Sequence, residues 1–291
     1  MDTLGAAVAH DLGTAVATAA RLGGGDVAES YRMDLADGRR VFAKTHRSPP
    51  PGFFTTEAAG LQQLREPDVV AVPEVLAVSD GDDGSPPRLV LGWIDEGGRS
   101  SVDDEYEFGR RLARLHRVGT PGFGREDRRT TGSLALPNDP CTDWVEFFGD
   151  RRLTPLLRIA RDRRSLPDDT LHTLGRTIDR LGDLGVPVEP PARLHGDLWA
   201  GNRLVDRSGC SWLIDPAFHG GHREYDLAMM RLFGGFAQPC FDGYAAEAPL
   251  ADGWEARVPL HQLAPLVVHA IKFGGGYVDA TQRALDAVDR I

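Results

Sequence analysis

The sequence predicts an α+β fold. We expect a small antiparallel-sheet N-terminal lobe with one main helix over residues 1–95, and a larger, mainly helical C-terminal lobe over residues 96–291. Three observations favour this fold. Strand-like runs are concentrated in the first 95 residues, an Asp37-Gly38 hairpin signal joins two of them, and helical periodicity dominates the remainder. A chain of 291 residues that is 41% hydrophobic can also bury a core in each lobe.

The N-terminal lobe is predicted to begin with a helix over residues 2–22, because Leu4, Val8 and Leu12 recur on one helical face. The glycines at positions 23–25 are expected to end this helix. The elements predicted next are strands over residues 27–35 and 39–45, a helix over residues 53–65, and strands over residues 69–78 and 89–94.

The C-terminal lobe is predicted from longer helical patterns and two short apolar runs. The helices are expected over residues 103–118, 142–162, 168–184, 223–233 and 255–286. Short strands are expected over residues 203–205 and 211–214. Residues 119–140 are rich in Gly, Pro and Asn and therefore read as a connector.

Composition excludes several classes of protein. With 33 Lys plus Arg against 43 Asp plus Glu, the net charge is −10, so we expect no nucleic-acid partner. The cysteines Cys141, Cys210 and Cys240 form no CxxC pair, which argues against a disulfide framework or a structural zinc site. No apolar run reaches the ~20 residues that cross a bilayer, and the N-terminus lacks a secretory signal. We therefore expect a cytoplasmic protein without a membrane partner.

The strongest chemical signal is the string HGDLWAGN at residues 195–202, followed by the short apolar run that ends at Asp215. Phosphoryl transfer needs positioning, charge neutralisation and one acceptor for the hydroxyl proton. Asp197 can orient and deprotonate the attacking hydroxyl, while Asn202 and Asp215 can share Mg²⁺. The order Asp, Asn, Asp is that of the protein kinases, so the string predicts an ATP- and Mg²⁺-dependent kinase. His-Gly-Asp and Asp-Pro-Ala stand where protein kinases have His-Arg-Asp and Asp-Phe-Gly, which favours a small-molecule kinase.

Residues upstream support this interpretation. Lys44 lies on the second strand of the predicted hairpin, and Glu57 follows 13 residues later on a predicted helix. A strand lysine paired with a helix glutamate holds the α- and β-phosphates in kinases. Gly24 and Gly25 are a weaker candidate for phosphate binding, because the run lacks the G-x-G-x-x-G pattern.

The strand over residues 89–94 is expected to lead into the connection between the lobes. Trp93 and Ile94 end this strand, where adenine would bond to backbone N–H and C=O groups. An ordinary buried strand is equally compatible with this run of residues.

The segment after Asp215 carries a charged cluster. His222, Arg223, Glu224 and Asp226 open a predicted helix, so they serve either to cap it or to brace the Asp197 loop and line the acceptor pocket. The histidines of this region lack the His-x-x-x-His spacing of a helical metal site, which argues against zinc. His195 and Trp199 lie within the Asp197 loop itself, and we take both as candidates for loop support or acceptor contact.

Together these residues resemble the fructosamine kinase family, the ketosamine 3-kinases, which are related to aminoglycoside and choline kinases. The resemblance runs over nearly the whole chain. It is carried by the strings EAAGL at residues 57–61, DWVEFF at 143–148, HGDLWAGN at 195–202, GHRE at 221–224, DLAM at 226–229 and LFGGF at 232–236.

The resemblance implies a bilobal, protein-kinase-like fold and ATP-dependent phosphorylation of the sugar 3-hydroxyl of fructosamines or ribulosamines, free or protein-bound. The phosphorylated product then decomposes and releases its amine, which is a deglycation step. It also implies that Asp197 is the general base, that Asn202 and Asp215 hold Mg²⁺, and that Glu57 orients a phosphate-binding Lys44.

Alternatives remain at this point. One is an aminoglycoside-type phosphotransferase that acts on another hydroxylated amine. A second is a nucleotide-binding scaffold without turnover, which the presence of every catalytic element disfavours. The third and most distant alternative is a metal-dependent hydrolase. The sequence leaves the choice between fructosamine and ribulosamine, and the oligomeric state, open.

Overall fold

A computed structural model describes residues 2–23, 28–82, 84–127, 130–131 and 134–291. Its α-helices are α1 (Asp2–Leu12), α2 (Phe53–Arg65), α3 (Val102–Val118), α4 (Trp144–Phe148), α5 (Thr154–Asp162), α6 (Asp168–Asp179), α7 (Glu224–Leu232), α8 (Gln238–Glu247), α9 (Trp254–Phe273) and α10 (Gly276–Val288). Its strands are β1 (Val16–Leu22), β2 (Glu29–Leu35), β3 (Arg40–Thr45), β4 (Val75–Ser79), β5 (Arg88–Gly92), β6 (Thr130–Thr131), β7 (Leu136–Pro137), β8 (Ala192–Leu194), β9 (Arg203–Val205), β10 (Ser211–Leu213) and β11 (His219–Gly221).

The chain divides into two compact units. The first unit comprises Met1–Asp104 with Asn202–Pro216, and the second unit comprises Glu105–Gly201 with Ala217–Ile291. The predicted α+β class with an antiparallel N-terminal sheet and a mainly helical remainder is confirmed. None of the described helices is long and apolar enough to cross a bilayer.

The first unit is built on a five-stranded sheet in the order β1-β2-β3-β5-β4, with antiparallel neighbours throughout. From Tyr31 to Leu35, residues of β2 alternate between buried and partly exposed positions, as the pleat of a half-buried strand requires. Met33 and Val41 pack from the sheet against Leu4 and Val8 of α1. The hairpin β9–β10 belongs to this unit, because Trp212 forms a parallel bridge with Ala71. The chain therefore returns to the first unit immediately before Asp215.

The second unit has a large hydrophobic core formed by helices. Phe147, Phe148 and Leu153 are fully buried there beside Leu260 and Leu285 of α9 and α10. A short antiparallel pair, β8 with β11, sets His219 opposite Leu194. This pair fixes the backbone that leads into His195.

The prediction of one helix over residues 2–22 was wrong. α1 ends at Leu12, where Gly13 adopts φ +65° and Thr14 N–H bonds to Ala9 C=O. A left-handed glycine after the last helical residue is a common helix end. Residues 16–22 instead form β1, because pairing with β2 satisfies their backbone groups and outweighs the helix propensity of their alanines.

Other boundaries were also wrong. The helix predicted over residues 255–286 is two helices, because Gly274 and Gly275 adopt φ values of 62° and 56° between α9 and α10. The helix predicted over residues 142–162 is interrupted by a π-helical turn at Gly149–Leu153. Helix α8 was not predicted, since Pro239 and Gly243 weaken its helical signal.

Candidate active site

In the first unit, Lys44, Glu57 and Asp215 come together. Lys44 on β3 donates from Nζ to Glu57 Oε1 on α2 over 2.9 Å, and also to Asp215 Oδ1. The side chains of Lys44 and Glu57 are only 12% and 15% exposed, whereas that of Asp215 is 41% exposed. The arrangement places one ammonium between two carboxylates, with one carboxylate accessible from solvent.

The start of α2 is anchored from outside the helix. Asp80 accepts hydrogen bonds from Phe54 N–H over 2.8 Å and from Thr55 Oγ1 over 2.6 Å. Such acceptors satisfy the free amides of a first helical turn. Phe54, Ala58 and Leu61 are buried on the inner face of the helix. Anchor and packing together fix the direction of the Glu57 side chain.

Burial and charge shift both members of the Lys44–Glu57 pair. Burial works against the charge of Lys44, but Glu57 and Asp215 outweigh it and raise the pKa of the ammonium. Burial raises the pKa of Glu57 to about 7 against the attraction of Lys44, and the charge of Asp215 adds to the increase. Two carboxylates thus compete for one ammonium, which leaves an excess of negative charge where a cation can be accommodated.

Asn202 lies beside Asp215. Ile214 N–H donates to the Asn202 carbonyl over 3.0 Å, and Asn202 Nδ2 approaches the Asp215 carbonyl at 3.4 Å. Asp215 adopts φ +52°, a left-handed conformation that non-glycine residues rarely take. Oxygen atoms of an amide and a carboxylate are the ligands that Mg²⁺ prefers, so this pair fits the metal predicted from the sequence.

Trp93 and Ile94 follow β5, also in the first unit. Trp93 Nε1 donates to Asp95 Oδ1 over 3.0 Å, and the Arg40 guanidinium lies 5.7 Å from the indole centroid. Both residues line a surface cavity of about 290 Å³ together with Trp212 of β10. Gly24 and Gly25, the other predicted nucleotide-binding positions, lie outside the described residues.

In the second unit, Asp197 is held by a buried hydrogen-bond network. Asp226 accepts from His195 N–H over 2.7 Å and from Gly196 N–H over 2.9 Å. Asp197 N–H in turn bonds to His195 Nδ1 over 3.2 Å. Gly196 adopts φ +82°, and a Cβ there would lie 2.1 Å from Ala217 C=O. Only glycine therefore fits directly before Asp197.

The network extends beyond the residues predicted from the sequence. His116 on α3 approaches the completely buried Asp226 at 3.3 Å through Nε2, and His116 Nδ1 lies 2.8 Å from Tyr244 Oη on α8. Burial alone would raise the pKa of Asp226, but the hydrogen bond from His116 and the amide of Gly196 hold it below its usual range. No local sequence signal identifies His116 or Tyr244, since they lie more than 100 residues from their partners.

The charged cluster at residues 222–224 forms ion pairs within the second unit. Arg223 binds Glu189 through two nitrogens, over 2.7 and 2.8 Å. Glu224 is buried and binds Arg257 over 2.9 and 2.6 Å. These bidentate pairs join the start of α7 to the loop before β8 and to α9.

His222, Glu224 and His261 bring potential metal-binding atoms within 4.8 Å of one another. His222 Nε2 lies 3.2 Å from Pro187 C=O, and burial lowers the pKa of this histidine to about 4. Arg257 engages both oxygens of Glu224. A metal ion would have to displace or oppose this guanidinium, so the group is better suited to bracing α7 and α9 than to holding an ion.

Trp199 stays close to the Asp197 backbone. The backbone N–H of Trp199 donates to Asp197 C=O over 3.1 Å, and 38% of the residue is exposed. A Cβ on Gly201 would lie 2.2 Å from indole Cη2, so the indole occupies the space that the glycine leaves open. The ring is held near Asp197 while it keeps a solvent-facing surface.

Comparison with known proteins gives one consistent family. The family model described as fructosamine kinase matches residues 2–290. A probable ketoamine kinase of Thermus thermophilus is 38% identical over 272 residues, which covers 91% of this chain and 92% of the relative. The chloroplastic protein-ribulosamine 3-kinase of Arabidopsis thaliana is 34% identical over 272 residues, with 91% and 80% covered.

Solved structures agree with this family assignment. A crystal structure from Thermobifida fusca, assigned as a fructosamine-3-kinase, is 38% identical, covers 100% of both chains and superposes with a TM-score of 0.92. Choline kinase of Streptococcus pneumoniae is 15% identical with a TM-score of 0.65 over 100% of this chain and 99% of its own. At that identity the second likeness shows the fold alone, which is that of the protein-kinase-like phosphotransferases.

Proposed function

The chain belongs to the fructosamine kinase family and is therefore an ATP-using kinase, and from this premise we propose that it phosphorylates the sugar 3-hydroxyl of ketosamines. The relatives named above act on ketoamines or protein-bound ribulosamines. The substrate class proposed for this chain comprises fructosamines and ribulosamines, whether free or linked to protein, and the reaction is a step of deglycation.

Lys44 and Glu57 form the proposed phosphate-binding pair. Its support is the buried 2.9 Å contact from β3 to α2, which holds the ammonium in one direction. A lysine fixed in this way binds the α- and β-phosphates in kinases. Gly24, Gly25, Trp93 and Ile94 remain the residues proposed to bind the rest of the nucleotide.

Asn202 and Asp215 are the proposed Mg²⁺ ligands. Their support is the backbone hydrogen bond between Ile214 and Asn202, which keeps the two side chains adjacent. Bound with ATP, Mg²⁺ neutralises phosphate charge and leaves the γ-phosphoryl group open to attack. The Lys44 contact to Asp215 is expected to loosen when a divalent cation binds that carboxylate.

Asp197 is the proposed general base. Asp226 accepts hydrogen bonds from the amides of His195 and Gly196, so the backbone directly before the base is held in place. In this role Asp197 orients the acceptor hydroxyl and accepts its proton as the phosphoryl group is transferred. His195 and Asp226 act as positioning residues. His222, Arg223 and Glu224 support the same loop through the ion pairs of α7.

One observation carries the proposal: the buried Lys44–Glu57 pair lies in contact with Asp215, the carboxylate that follows Asn202. Burying Lys44 and Glu57 costs folding free energy, because charged groups lose their hydration. A scaffold protein without turnover would gain nothing from this cost, whereas a kinase uses the pair and the accessible Asp215 to bind phosphate and metal.

The test is Mg²⁺-dependent ADP release with fructoselysine, ribuloselysine and an aminoglycoside as acceptors. Wild-type protein is expected to release ADP with a ketosamine, and Asp197→Asn to lose at least about 10²-fold in kcat. Asp183→Asn, which alters an exposed carboxyl of the same unit, serves as the matched control. Turnover of the aminoglycoside alone, or equal rates for wild type and Asp197→Asn, would contradict the proposal.

A further inference from the structure

Exposed aromatic side chains are concentrated in one part of the second unit. Trp199, Phe233 and Phe273 keep 38%, 38% and 52% of their surface exposed. Their rings join those of His269 and Tyr277 in a continuous series. We call these five residues the aromatic face. Adjacent exposed aromatic rings are costly in water and mark a binding surface.

The rings contact one another at distances typical of aromatic pairs. The centroids are 5.8 Å apart for Trp199 and Phe233, 5.3 Å for Phe233 and His269, and 4.9 Å for His269 and Tyr277. Phe273 lies 6.1 Å from Tyr277 across the glycine junction between α9 and α10. The aromatic face therefore extends from the Asp197 loop to the end of α9.

The face is attached to the loop by close packing. Gly201 leaves the space in which the Trp199 indole lies. A Cβ on Gly235, two residues after Phe233, would lie 2.3 Å from Ala200 Cβ. Because a side chain at Gly235 would clash with Ala200, the segments around Trp199 and Phe233 pack closely against each other. A molecule held at Asp197 would therefore have the aromatic face as its neighbour.

The charge at the aromatic face favours acceptors whose amine-derived group is uncharged. Lys272 Nζ lies 5.2 Å from the Phe273 centroid and adds a positive charge at the edge. His269 lies 2.7 Å from Pro265 C=O through Nδ1, and burial lowers its pKa, so the ring is neutral near pH 7. A neutral aromatic surface with a cationic edge suits an uncharged alkyl or aryl chain better than a polyamine.

We propose that the aromatic face binds the amine-derived group of the ketosamine, the alkyl or aryl chain joined to the sugar through nitrogen, and so selects substrates by that group. This inference rests on the function proposed above. The sugar hydroxyl lies at Asp197, and the chain beyond the nitrogen covers Phe233, Phe273 and Tyr277. Aromatic residues of this kind provide much of the binding free energy at recognition surfaces.

The experiment compares two ketosamines with the same sugar, one made from methylamine and one from benzylamine. Wild-type kcat/KM is expected to be about tenfold higher for the benzyl compound, because burial of its aromatic ring lowers KM. Phe273→Ala is expected to remove about tenfold of kcat/KM for the benzyl compound and to leave the methyl compound within about twofold. Phe273→Tyr retains the ring and is expected to retain the preference.

Tyr106→Ala is the matched control, since Tyr106 is 39% exposed on α3 and belongs to no ring pair of the face. Equal losses for both compounds in Phe273→Ala, or no loss for either, would overturn the inference while leaving the proposed function intact. If wild type turns over neither compound, the proposed function fails, and the inference fails with it.

Discussion

Glu57 is a buried carboxyl whose negative charge its surroundings oppose. Burial and the neighbouring Asp215 raise its pKa to about 7, from an ordinary value of 4.5. A raised pKa in the folded state means that folding favours the protonated form. The associated stability is fully present below pH 4.5 and is lost as the pH rises through about 7.

Buried histidines such as His222, whose pKa is lowered to about 4, change stability in the opposite direction over this range, so the effect of Glu57 is measured as a difference between proteins. Without ligands, the thermal midpoint of the wild type minus that of Glu57→Gln is expected to fall by roughly 3 °C or more between pH 5 and pH 8, because the amide cannot ionise. The same difference taken with Glu74→Gln, at an exposed position of the same unit, should stay constant. Differential scanning calorimetry over this pH range measures both differences, and a constant difference for Glu57→Gln would contradict the raised pKa of Glu57.

At the residue scale, most of the candidate site residues were predicted from the order of residue types along the chain. Asp197 and Asn202 were found because they share one short string, and Lys44 and Glu57 because a strand precedes a helix at a suitable spacing. Their roles stay predictions. His116 and Tyr244 could not be found in this way, because long-range packing alone brings His116 to Asp226 and Tyr244 to His116.

At the scale of elements, α3 and α8 approach each other through glycine. A Cβ on Gly109 would lie 1.8 Å from Cys240 C=O, and one on Gly243 would lie 2.0 Å from Tyr106 C=O. Because α3 carries His116 and α8 carries Tyr244, this close approach also sets the hydrogen bond between the two side chains. The packing of α3 against α8 thus positions His116, which contacts Asp226, and Asp226 in turn holds the Asp197 loop.

Gly109→Ala should destabilise the protein, although alanine is the better helix former by about 1 kcal/mol. The clash with the α8 backbone would force the helices apart, at a cost of several kcal/mol. Gly175→Ala on α6 is the control, since its Cβ would meet only Leu157 Cδ2, at 3.9 Å. Circular dichroism melts should show a lower midpoint for Gly109→Ala and an unchanged or higher one for Gly175→Ala. Similar shifts in both would contradict this description of the contact.

Elements with strong periodicity could be predicted, and those decided by tertiary pairing could not. The amphipathic helix predicted over residues 53–65 is α2, with Phe54, Ala58 and Leu61 buried. β1 was predicted as helix, because its small residues carry no alternation and only pairing with β2 makes it a strand. The break between α9 and α10 depends on two positive φ angles that helical periodicity does not reveal.

At the scale of the whole molecule, the first unit is discontinuous in sequence. Asn202–Pro216 belongs to the same compact unit as Met1–Asp104, so Lys44, Glu57, Asn202 and Asp215 share it. The predicted functional boundary near residue 95 stays a prediction. A linear division of the sequence could not include the returning hairpin, because its bridge to Ala71 spans more than 100 residues.

Nucleotide binding is expected to stabilise the folded protein as a whole. At a concentration of MgATP one hundred times its Kd, the gain is about 2.7 kcal/mol, which raises the thermal midpoint by several degrees. Lys44→Met should abolish this increase, whereas Asp197→Asn should retain it, because Lys44 is proposed to contact phosphate and Asp197 is not. Thermal shift assays with and without MgATP provide the measurement, and a full increase in Lys44→Met would exclude Lys44 from nucleotide binding.

The central claim is the transfer of a phosphoryl group from ATP to the 3-hydroxyl of a ketosamine. The most direct measurement is phosphorus NMR of fructoselysine or ribuloselysine incubated with the protein and MgATP. We predict a phosphate monoester signal coupled to the proton on C3, followed by its decay to inorganic phosphate as C3 loses the phosphate and the amine is released. Inorganic phosphate that forms at the same rate without the ketosamine, or a monoester at another sugar carbon, would contradict this claim.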